Sequence, residues 1–182
     1  MDFTPTPLGG NYLISMNTFS DNRGWFSRYF SKERFDSIGH KAEWIQMNHS
    51  FNIRKGTIRG LHFQTGPAKE IKLVRCIAGA LWDVVVDLRK DSPTYLQSFG
   101  QTLSAQNKIM MYVPEGVAHG FQTLTDDCEL LYCHTAYYSK DFEGGLRYDD
   151  PVLGIQWPEP VSVISERDLS FALIDSKFKG IE

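Results

Sequence analysis

The chain has 182 residues, of which 42% are hydrophobic and 23% charged, and its formal net charge is −3. A chain of this size and composition forms one globular domain, placed here over residues 1–182, and the disordered, collagen-like and coiled-coil classes are excluded. Because 19 basic residues are set against 22 acidic ones without a basic tract, nucleic acid and anionic membranes are excluded as main partners. An anionic ligand must therefore be bound by a few placed cations.

The N-terminal segment MDFTPTPLGG has neither a basic region nor an apolar run, so no secretory signal is expected. The apolar runs elsewhere are far shorter than the roughly 18–20 residues of a membrane span, and we expect a cytoplasmic protein. The three cysteines, Cys76, Cys128 and Cys133, form no CxxC pair and lie in apolar surroundings. We therefore predict buried, reduced thiols.

Short apolar segments separated by turn residues follow one another along most of the chain. Helix signals are few: Ser31 to Ile38 ahead of Gly39, and a stretch starting at Ser165 with an acid three residues on. This pattern is typical of an all-β antiparallel sandwich or barrel, and a jelly roll is the natural choice at this length. In chain order, the predicted strands are Gly10 to Thr18, Trp25 to Phe30, Ile45 to Ser50, Gly56 to Gln64, Ile71 to Ile77, Leu81 to Arg89, Gly100 to Leu103, Lys108 to Val113, His119 to Thr125 and Leu130 to Tyr138.

Residues 71–89 have the pattern of a β-hairpin with its turn near Gly79. In the second strand Asp83 and Asp87 share one face, because strand side chains alternate. Pairing through the turn would place Asp83 diagonal to Lys72. We therefore expect Asp83 to support that lysine.

In two predicted strands, the spacing of polar residues indicates which side chains can line a common cavity. In the last predicted strand Tyr132, His134 and Tyr138 share a face by period two, which favours a polar, aromatic cavity wall. Arg59 and His62 differ by three positions, so a regular strand would place them on opposite faces. Both can reach one ligand only if the strand kinks at the intervening Gly60.

The segment from Pro114 to His119 has the Pro-x-Gly-x-x-His shape of the second half of the metal-cupin signature. The first half of that signature ordinarily supplies His-x-His and a glutamate. Here Gln64 replaces the second imidazole, and Lys72 stands where the acidic ligand is expected. An ammonium group has no lone pair for a metal ion, so we expect a cupin-like architecture without a metal.

A series of motifs in one order resembles the dTDP-4-dehydrorhamnose 3,5-epimerase family of cupin-type nucleotide-sugar epimerases. The series runs from Asp21 to Asp168 and covers most of the chain. Its members are Asp21-Asn22-Arg23-Gly24, Phe26, Gln46-Met47-Asn48-His49-Ser50, Arg59-Gly60-Leu61-His62-Phe63-Gln64, Lys72-Leu73-Val74-Arg75, Asp83 to Arg89, Ser92-Pro93-Thr94-Tyr95, Pro114 to Phe121, Tyr132, Tyr137-Tyr138, Asp150-Pro151, Ile155-Gln156-Trp157-Pro158 and Ile164-Ser165-Glu166-Arg167-Asp168.

The resemblance implies epimerisation of a nucleotide-linked 4-keto-6-deoxyhexose at C3, C5 or both. A proton is removed next to the C4 ketone and another is returned on the opposite face. The resemblance assigns His62 as the base, Tyr132 as the opposing acid, Asp168 as the carboxylate bonded to His62, and Lys72 as the cation near the ketone oxygen. The ketone itself is the electron sink, so no cofactor is expected.

Several roles have alternatives that the residues leave open. Asp168 could be only the acid of a helix N-cap box, and Asp83 is a rival orienting carboxylate. Tyr137 or Tyr138 could be the acid in place of Tyr132. The other polar candidates are interpreted as peripheral: His49 and His134 as structural, His40 as a solvated loop residue, and Arg75 as a strand-face charge.

For the diphosphate, the resemblance implicates Arg23, Arg59 and His119, since guanidinium groups suit phosphate oxygens. Around the nucleotide and sugar it implicates Gln46, Asn48, Tyr138, Glu143 and Arg167.

The chain departs from the family pattern five residues after Arg23, where a glutamate is usual and Arg28 stands here. If that carboxylate accepts from the N3–H of thymine or uracil, an arginine would suit cytosine, whose N3 is an acceptor. The nucleotide could then be CDP instead of dTDP, or Arg28 could add a phosphate contact. Further departures are Cys133-His134 after the tyrosine, where a lysine often follows, and Ala68 to Ile71, where a glutamine is frequent.

The resemblance also implies a homodimer, and the N-terminal strands could complete a neighbour's sheet. Two other functions remain open. One is a single-centre 3- or 5-epimerase acting on a CDP-linked or variant deoxysugar. The other is a non-catalytic cupin that binds a sugar nucleotide or a metal.

Overall fold

The computed structural model describes all 182 residues, and its regular secondary structure is almost entirely antiparallel strands. The elements are β1 (Asp2–Pro5), β2 (Tyr12–Ser15), β3 (Thr18–Asp21), β4 (Gly24–Ser27), α1 (Lys32–Asp36), β5 (Gln46–Asn52), β6 (Ile58–Gln64), a 3₁₀ turn (Gly66–Ala68), β7 (Lys72–Ala78), β8 (Ala80–Asp87), β9 (Ser98–Ser104), β10 (Ile109–Val113), β11 (Val117–Thr123), β12 (Cys128–His134), β13 (Glu143–Gly145) and α2 (Glu166–Ser170). One sheet has six strands in the order β1-β2-β10-β7-β12-β5, a second has five in the order β13-β6-β11-β8-β9, and β3 and β4 form a separate two-stranded sheet. The predicted all-β jelly roll with a few short helices is confirmed.

The inner faces of the two large sheets form a core that turns polar toward one end. In β7 the inward residues Val74 and Cys76 are fully buried in an apolar cluster of 12 residues, and Lys72 continues the same face. In β12 the buried Leu130 is followed two residues later by Tyr132. The apolar core and the polar lining therefore belong to the same strands.

The predicted hairpin around Gly79 is wrong. Strand β7 pairs with β10 and β12 in the six-stranded sheet, whereas β8 pairs with β9 and β11 in the five-stranded sheet. Gly79, at φ +72°, turns the chain from one sheet into the other, and a Cβ there would lie 2.4 Å from the Thr125 Oγ1. A turn between two buried strands does not reveal in the sequence whether the strands pair or face each other.

The last long strand ends at His134, four residues before its predicted end. The chain bends at Thr135 and Ala136, so Tyr138 reaches the same region from a loop and not by strand alternation. The cysteine prediction is confirmed, because all three thiols are free and buried. No helix has the length and apolar character needed to cross a membrane.

Two residues interpreted as peripheral are buried. The ring of His40 is only 4% exposed and stacks on Trp44 at 4.6 Å, with its Nδ1 3.2 Å from the Tyr112 hydroxyl. Its prediction as a solvated loop residue is wrong, because an aromatic cluster closes over it. Arg75 is also buried, with its guanidinium over the ring of Tyr29.

Candidate active site

A cavity of about 300 Å³ lies between the two large sheets, and 15 residues line it, only four of them hydrophobic. Strands from both sheets contribute side chains. The predicted site residues in its wall are Asn48, Arg59, His62, Lys72, His119, Tyr132, Tyr138 and Glu143. The other lining residues are His49, Ser50, Phe63, Gln64, Glu70, Phe121 and His134.

A β-bulge in β6 brings Arg59 and His62 to the cavity together. Arg59 pairs with Phe121 and His62 with His119, so three steps along β6 match two along β11. Gly60 has φ +116°, and a Cβ there would lie 2.6 Å from the Gly120 Cα. The kink predicted at Gly60 is confirmed, and only glycine fits there.

The imidazole of His62 lies against a carboxylate from α2. Its Nε2 is 2.8 Å from Asp168 Oδ1, and the other carboxylate oxygen accepts from the backbone N–H of Gly60 at 3.1 Å. Burial would raise the pKa of Asp168, but the hydrogen bonds from His62 and Gly60 outweigh it and lower the pKa. An ionised Asp168 fixes the His62 tautomer with its proton on Nε2. Nδ1 of His62 makes no hydrogen bond in the structure.

The helix cap and the histidine contact use different atoms of Asp168. Its backbone N–H donates to the Oγ of Ser165, the N-cap residue, at 3.0 Å. Its carboxylate turns to His62 and Gly60. Asp168 therefore takes part in the helix cap only through its backbone, and its carboxylate is not the acid of a cap box.

The cation Lys72 has a carboxylate partner that the sequence analysis did not identify. Its Nζ lies 3.3 Å from Glu70 Oε1 and donates to the carbonyl of His62 at 3.4 Å, and its side chain is 9% exposed. The hairpin pairing expected to bring Asp83 to Lys72 is absent, because β8 belongs to the opposite sheet, and the charge of Lys72 acts on Asp83 without a hydrogen bond or ion pair between them. Asp83 instead bonds His119, Oδ1 to Nε2, at 2.7 Å.

The His119–Asp83 pair is buried at the inner end of the cavity. The second oxygen of Asp83, Oδ2, has no hydrogen-bond partner. Burial raises the pKa of Asp83, and the contact with His119 offsets only part of that rise. Through Asp83, the ring of His119 is held with its edge toward Tyr132.

Tyr132 faces the cavity from β12, on the sheet opposite His62. Its hydroxyl is 2.9 Å from the Ser50 Oγ, and its ring stacks on His134 at 6.2 Å. Burial raises the pKa of Tyr132 above its ordinary value, so the phenol keeps its proton at neutral pH. Of the alternative acids, Tyr138 lies at the rim, whereas Tyr137 is 69% exposed and does not line the cavity.

The rim of the cavity carries a second polar group of predicted binding residues. The Tyr138 hydroxyl donates to Glu143 Oε2 at 2.8 Å, and the other oxygen of Glu143 pairs with Arg167 from α2. Arg59 donates through Nε to Asn52 Oδ1 at 2.7 Å. Cations and hydrogen-bonding groups therefore surround the entrance.

Four predicted binding residues do not line this cavity, and two of them, Gln46 and Arg167, bond to residues that do. Arg23 sits at the tip of the β3–β4 hairpin, with its side chain 85% exposed and paired only to Asp21. Arg28 follows β4 and lines a separate hollow near the N-terminus. The structure does not bring either of them to the site within one chain.

Some lining residues were missed. Ser50 follows Asn48 by period two, so the face of β5 predicts it. Glu70 lies outside any regular strand and gives no periodic signal. His134, which lies on the strand face that favoured a cavity wall but was interpreted as structural, lines the cavity. No three His, Cys, Asp or Glu side chains are grouped as a metal ion would need.

Comparisons with known proteins show the family and agree with the fold. The family model described as dTDP-4-dehydrorhamnose 3,5-epimerase matches residues 5–176. The chain is 42% identical over 165 residues to dTDP-4-dehydrorhamnose 3,5-epimerase of Salmonella typhimurium, covering 90% of each. The crystal structure of the enzyme of that name from Elizabethkingia anophelis matches with a TM-score of 0.93 at 36% identity, covering 98% of both chains. The Legionella pneumophila dTDP-6-deoxy-D-glucose-3,5-epimerase, in complex with dTDP-4-keto-L-rhamnose, matches with a TM-score of 0.90 at 35% identity, covering 97% of this chain and 96% of that one.

Proposed function

The chain belongs to the dTDP-4-dehydrorhamnose 3,5-epimerase family of isomerases, and on that premise we propose that it inverts C3 and C5 of a dTDP-linked 4-keto-6-deoxyhexose in deoxysugar biosynthesis. The observation that carries the proposal is one polar cavity in which His62 and Tyr132 face each other from opposite sheets, with Lys72 in its wall. The relative crystallised with dTDP-4-keto-L-rhamnose supports this substrate class.

In the proposed reaction His62 removes the proton next to the ketone. Asp168 holds the Nε2–H, which leaves the Nδ1 lone pair free to accept a proton. The buried negative charge of Asp168 also stabilises the imidazolium that forms. Tyr132 carries its proton at neutral pH and donates it to the carbanion carbon from the other face of the ring. Together the two transfers invert the centre.

Lys72 stabilises the enolate oxygen between these two transfers. Its ammonium is nearly buried, and a charge acts more strongly on a developing oxyanion in such surroundings than in water. The ketone of the substrate accepts the electron pair released at the adjacent carbon and returns it on reprotonation. After each inversion His62 gives its proton to water and the Tyr132 phenolate takes one from water, so the reaction balances without a cofactor, and we propose that none is used.

We further propose that the enzyme is a homodimer in which the β3–β4 hairpin of each subunit serves the cavity of its partner. The hairpin exposes Phe19 and Phe26, which are 71% and 68% exposed. Strand β5 is an edge of the six-stranded sheet and exposes Met47 and Phe51 beside the cavity. Docking the hairpin on such an edge would cover both apolar surfaces.

In that arrangement Arg23 and Arg28 contact the substrate bound in the cavity of the partner subunit and not the substrate bound in their own subunit. Arg59 and His119 then complete the diphosphate site from the cavity wall. The three free, buried cysteines suit a reducing compartment, and we place the enzyme in the cytoplasm.

The reaction is tested by proton NMR in deuterium oxide with dTDP- and CDP-linked 4-keto-6-deoxyglucose. We expect deuterium to enter at C3 and C5 of the dTDP substrate, and His62→Ala to abolish the exchange. Exchange at one carbon only would make the protein a single-centre epimerase, and faster exchange of the CDP substrate would reassign the nucleotide. Absence of exchange with both substrates would contradict the proposal.

The dimer is tested by size-exclusion chromatography with light scattering. We expect twice the mass of the 20.8 kDa chain, and we expect Phe26→Asp to give monomers with weaker dTDP binding by calorimetry. A wild-type monomer that binds dTDP would refute the exchange of the hairpin.

A further inference from the structure

A second pair of polar residues, Glu70 and His134, lies beside Lys72, and the proposed reaction does not use it. Glu70 precedes β7 and reaches the cavity wall, where its side chain is 8% exposed. His134 ends β12 with its side chain 10% exposed, and its Nδ1 lies 2.7 Å from Glu70 Oε2. The other oxygen of Glu70 faces Lys72 Nζ at 3.3 Å. One carboxylate thus joins an imidazole and an ammonium.

The Glu70–His134 pair lies in the middle of a series of side-chain hydrogen bonds that runs along the cavity wall. Gln46 Nε2 donates to Asn48 Oδ1 at 3.3 Å, and Asn48 Nδ2 lies 3.2 Å from the Nε2 of His134. On the other ring nitrogen, His134 Nδ1 lies 2.7 Å from Glu70 Oε2, and Lys72 lies on the far side of that carboxylate. This hydrogen-bond series therefore links Gln46 and Asn48, the predicted substrate contacts on β5, to the Lys72 cation on β7.

The donors and acceptors in the series agree in only one direction. An ammonium can only donate and an ionised carboxylate can only accept, so Lys72 donates to Glu70. Glu70 then accepts from His134 Nδ1–H, and the Nε2 of the ring is left to accept from Asn48. Burial would raise the pKa of Glu70, but the hydrogen bond from His134 and the charge of Lys72 outweigh it and lower the pKa. The carboxylate therefore stays ionised at neutral pH.

We infer that Glu70 and His134 are positioning residues, which fix the Lys72 ammonium at the ketone oxygen and hold Asn48 in register with it. The role rests on the proposed function, since it acts on the lysine that stabilises the enolate. The carboxylate has little value for folding alone, because a buried ion pair such as Glu70–Lys72 rarely adds stability over apolar side chains of the same volume. The Glu70–His134 pair lies between a substrate contact and the cation, so it can fix the orientation of both. A misplacement of reacting groups by one ångström costs about 100-fold in the rate of catalysis.

The first test needs no substrate. Nitrogen-15 NMR of the wild-type protein reports the tautomer of each histidine, and His134 is expected to carry its proton on Nδ1 at neutral pH. In Glu70→Gln the amide cannot accept from both His134 and Lys72, so the ring is expected to change tautomer or protonation state. A wild-type His134 protonated on Nε2 alone would overturn the inference, whatever the activity.

The second test is a double-mutant cycle on the exchange reaction. Glu70→Gln and His134→Ala should each lower kcat about tenfold, with KM for Glu70→Gln within about threefold of wild type. The double variant should lose no more than Glu70→Gln alone, since the two residues act as one unit. Glu159→Gln, which breaks an ion pair with Lys55 at 2.9 Å away from the cavity, is the matched control and should keep the wild-type kcat.

The outcomes separate this inference from the proposed function. A wild-type kcat in Glu70→Gln, or independent losses that multiply in the double variant, would refute the positioning role while the epimerase activity stands. A wild-type protein that exchanges no proton would refute the proposed function, and the tautomer of His134 would still report on the chain of hydrogen bonds.

Discussion

Replacing Asp168 by asparagine tests the proposed base with almost no change in volume. The carboxylate serves two donors at once, His62 Nε2–H at 2.8 Å and the N–H of Gly60 at 3.1 Å. An amide has only one oxygen, so in Asp168→Asn one of these donors must face an NH₂ group. If the ring of His62 adapts, its proton moves to Nδ1 and the lone pair no longer faces the substrate.

The expected loss follows from the contact that is removed. A hydrogen bond to a charged group contributes about 1.5–3 kcal/mol, and each 1.36 kcal/mol in the barrier is tenfold in rate. Asp168→Asn should therefore lower kcat/KM by roughly 10- to 150-fold, and by more if the tautomer changes, since a wrong tautomer costs about 10⁴-fold in a serine protease. Deuterium incorporation followed by NMR gives this ratio directly.

The matched control for Asp168 is Ser165→Ala, which removes the helix cap and leaves the carboxylate in place. Loss of an N-cap serine costs about 1 kcal/mol of stability, so the melting temperature should fall while the exchange rate of the folded enzyme stays at the wild-type value. If Asp168→Asn exchanges within threefold of wild type, the dyad reasoning is refuted and Asp168 is only part of the helix start.

Three further predictions concern the acid, the bulge and acid stability. Tyr132→Phe should keep part of the proton washout next to the ketone but lower inversion at least 100-fold, and NMR of product with wild-type stereochemistry at wild-type rate would contradict this. Gly60→Ala puts a Cβ 2.6 Å from the Gly120 Cα at φ +116°, so the free energy of unfolding in urea should fall by at least 1–3 kcal/mol; an unchanged value would contradict the need for glycine. Burial would raise the pKa of Asp87, but hydrogen bonds, first from the Arg89 side chain, lower it to about 2. A carboxylate with a lowered pKa stabilises the folded state above its ordinary pKa near 4, and this stabilisation is lost as the pH falls toward 2. The difference in free energy of unfolding between wild type and Asp87→Asn, measured in urea, should therefore shrink from pH 4 to pH 2. A difference independent of pH would contradict the role of ionised Asp87.

The family resemblance supplied most of the cavity residues, residue spacing predicted the kink in β6, and the failures have physical causes. The three-residue step from Arg59 to His62 required a kink, and Gly60 was the residue able to supply it. The hairpin at Gly79 failed because alternation reveals which face of a strand is buried but not which strand it pairs with. Because the hairpin was expected, Asp83 was predicted to support Lys72, whereas its carboxylate bonds His119.

Other residues were beyond sequence reasoning for different reasons. Glu70 lies in an irregular segment, where side-chain direction follows from the fold and not from a period. For Arg23 the resemblance implicates a phosphate contact, but residue type does not show that the β3–β4 hairpin holds it away from the cavity of its own chain. His40 was misjudged because its aromatic neighbour Tyr112 comes from a distant strand.

The continuity between core and cavity in β7 and β12 has a consequence for how the protein loses activity on heating. Lys72 and Tyr132 stand on the same strands as Val74 and Leu130, which are fully buried. Amide groups in such strands exchange with solvent only when much of the domain opens. The two residues therefore have no local unfolding step of their own, and thermal inactivation should follow the global melting curve without an earlier phase.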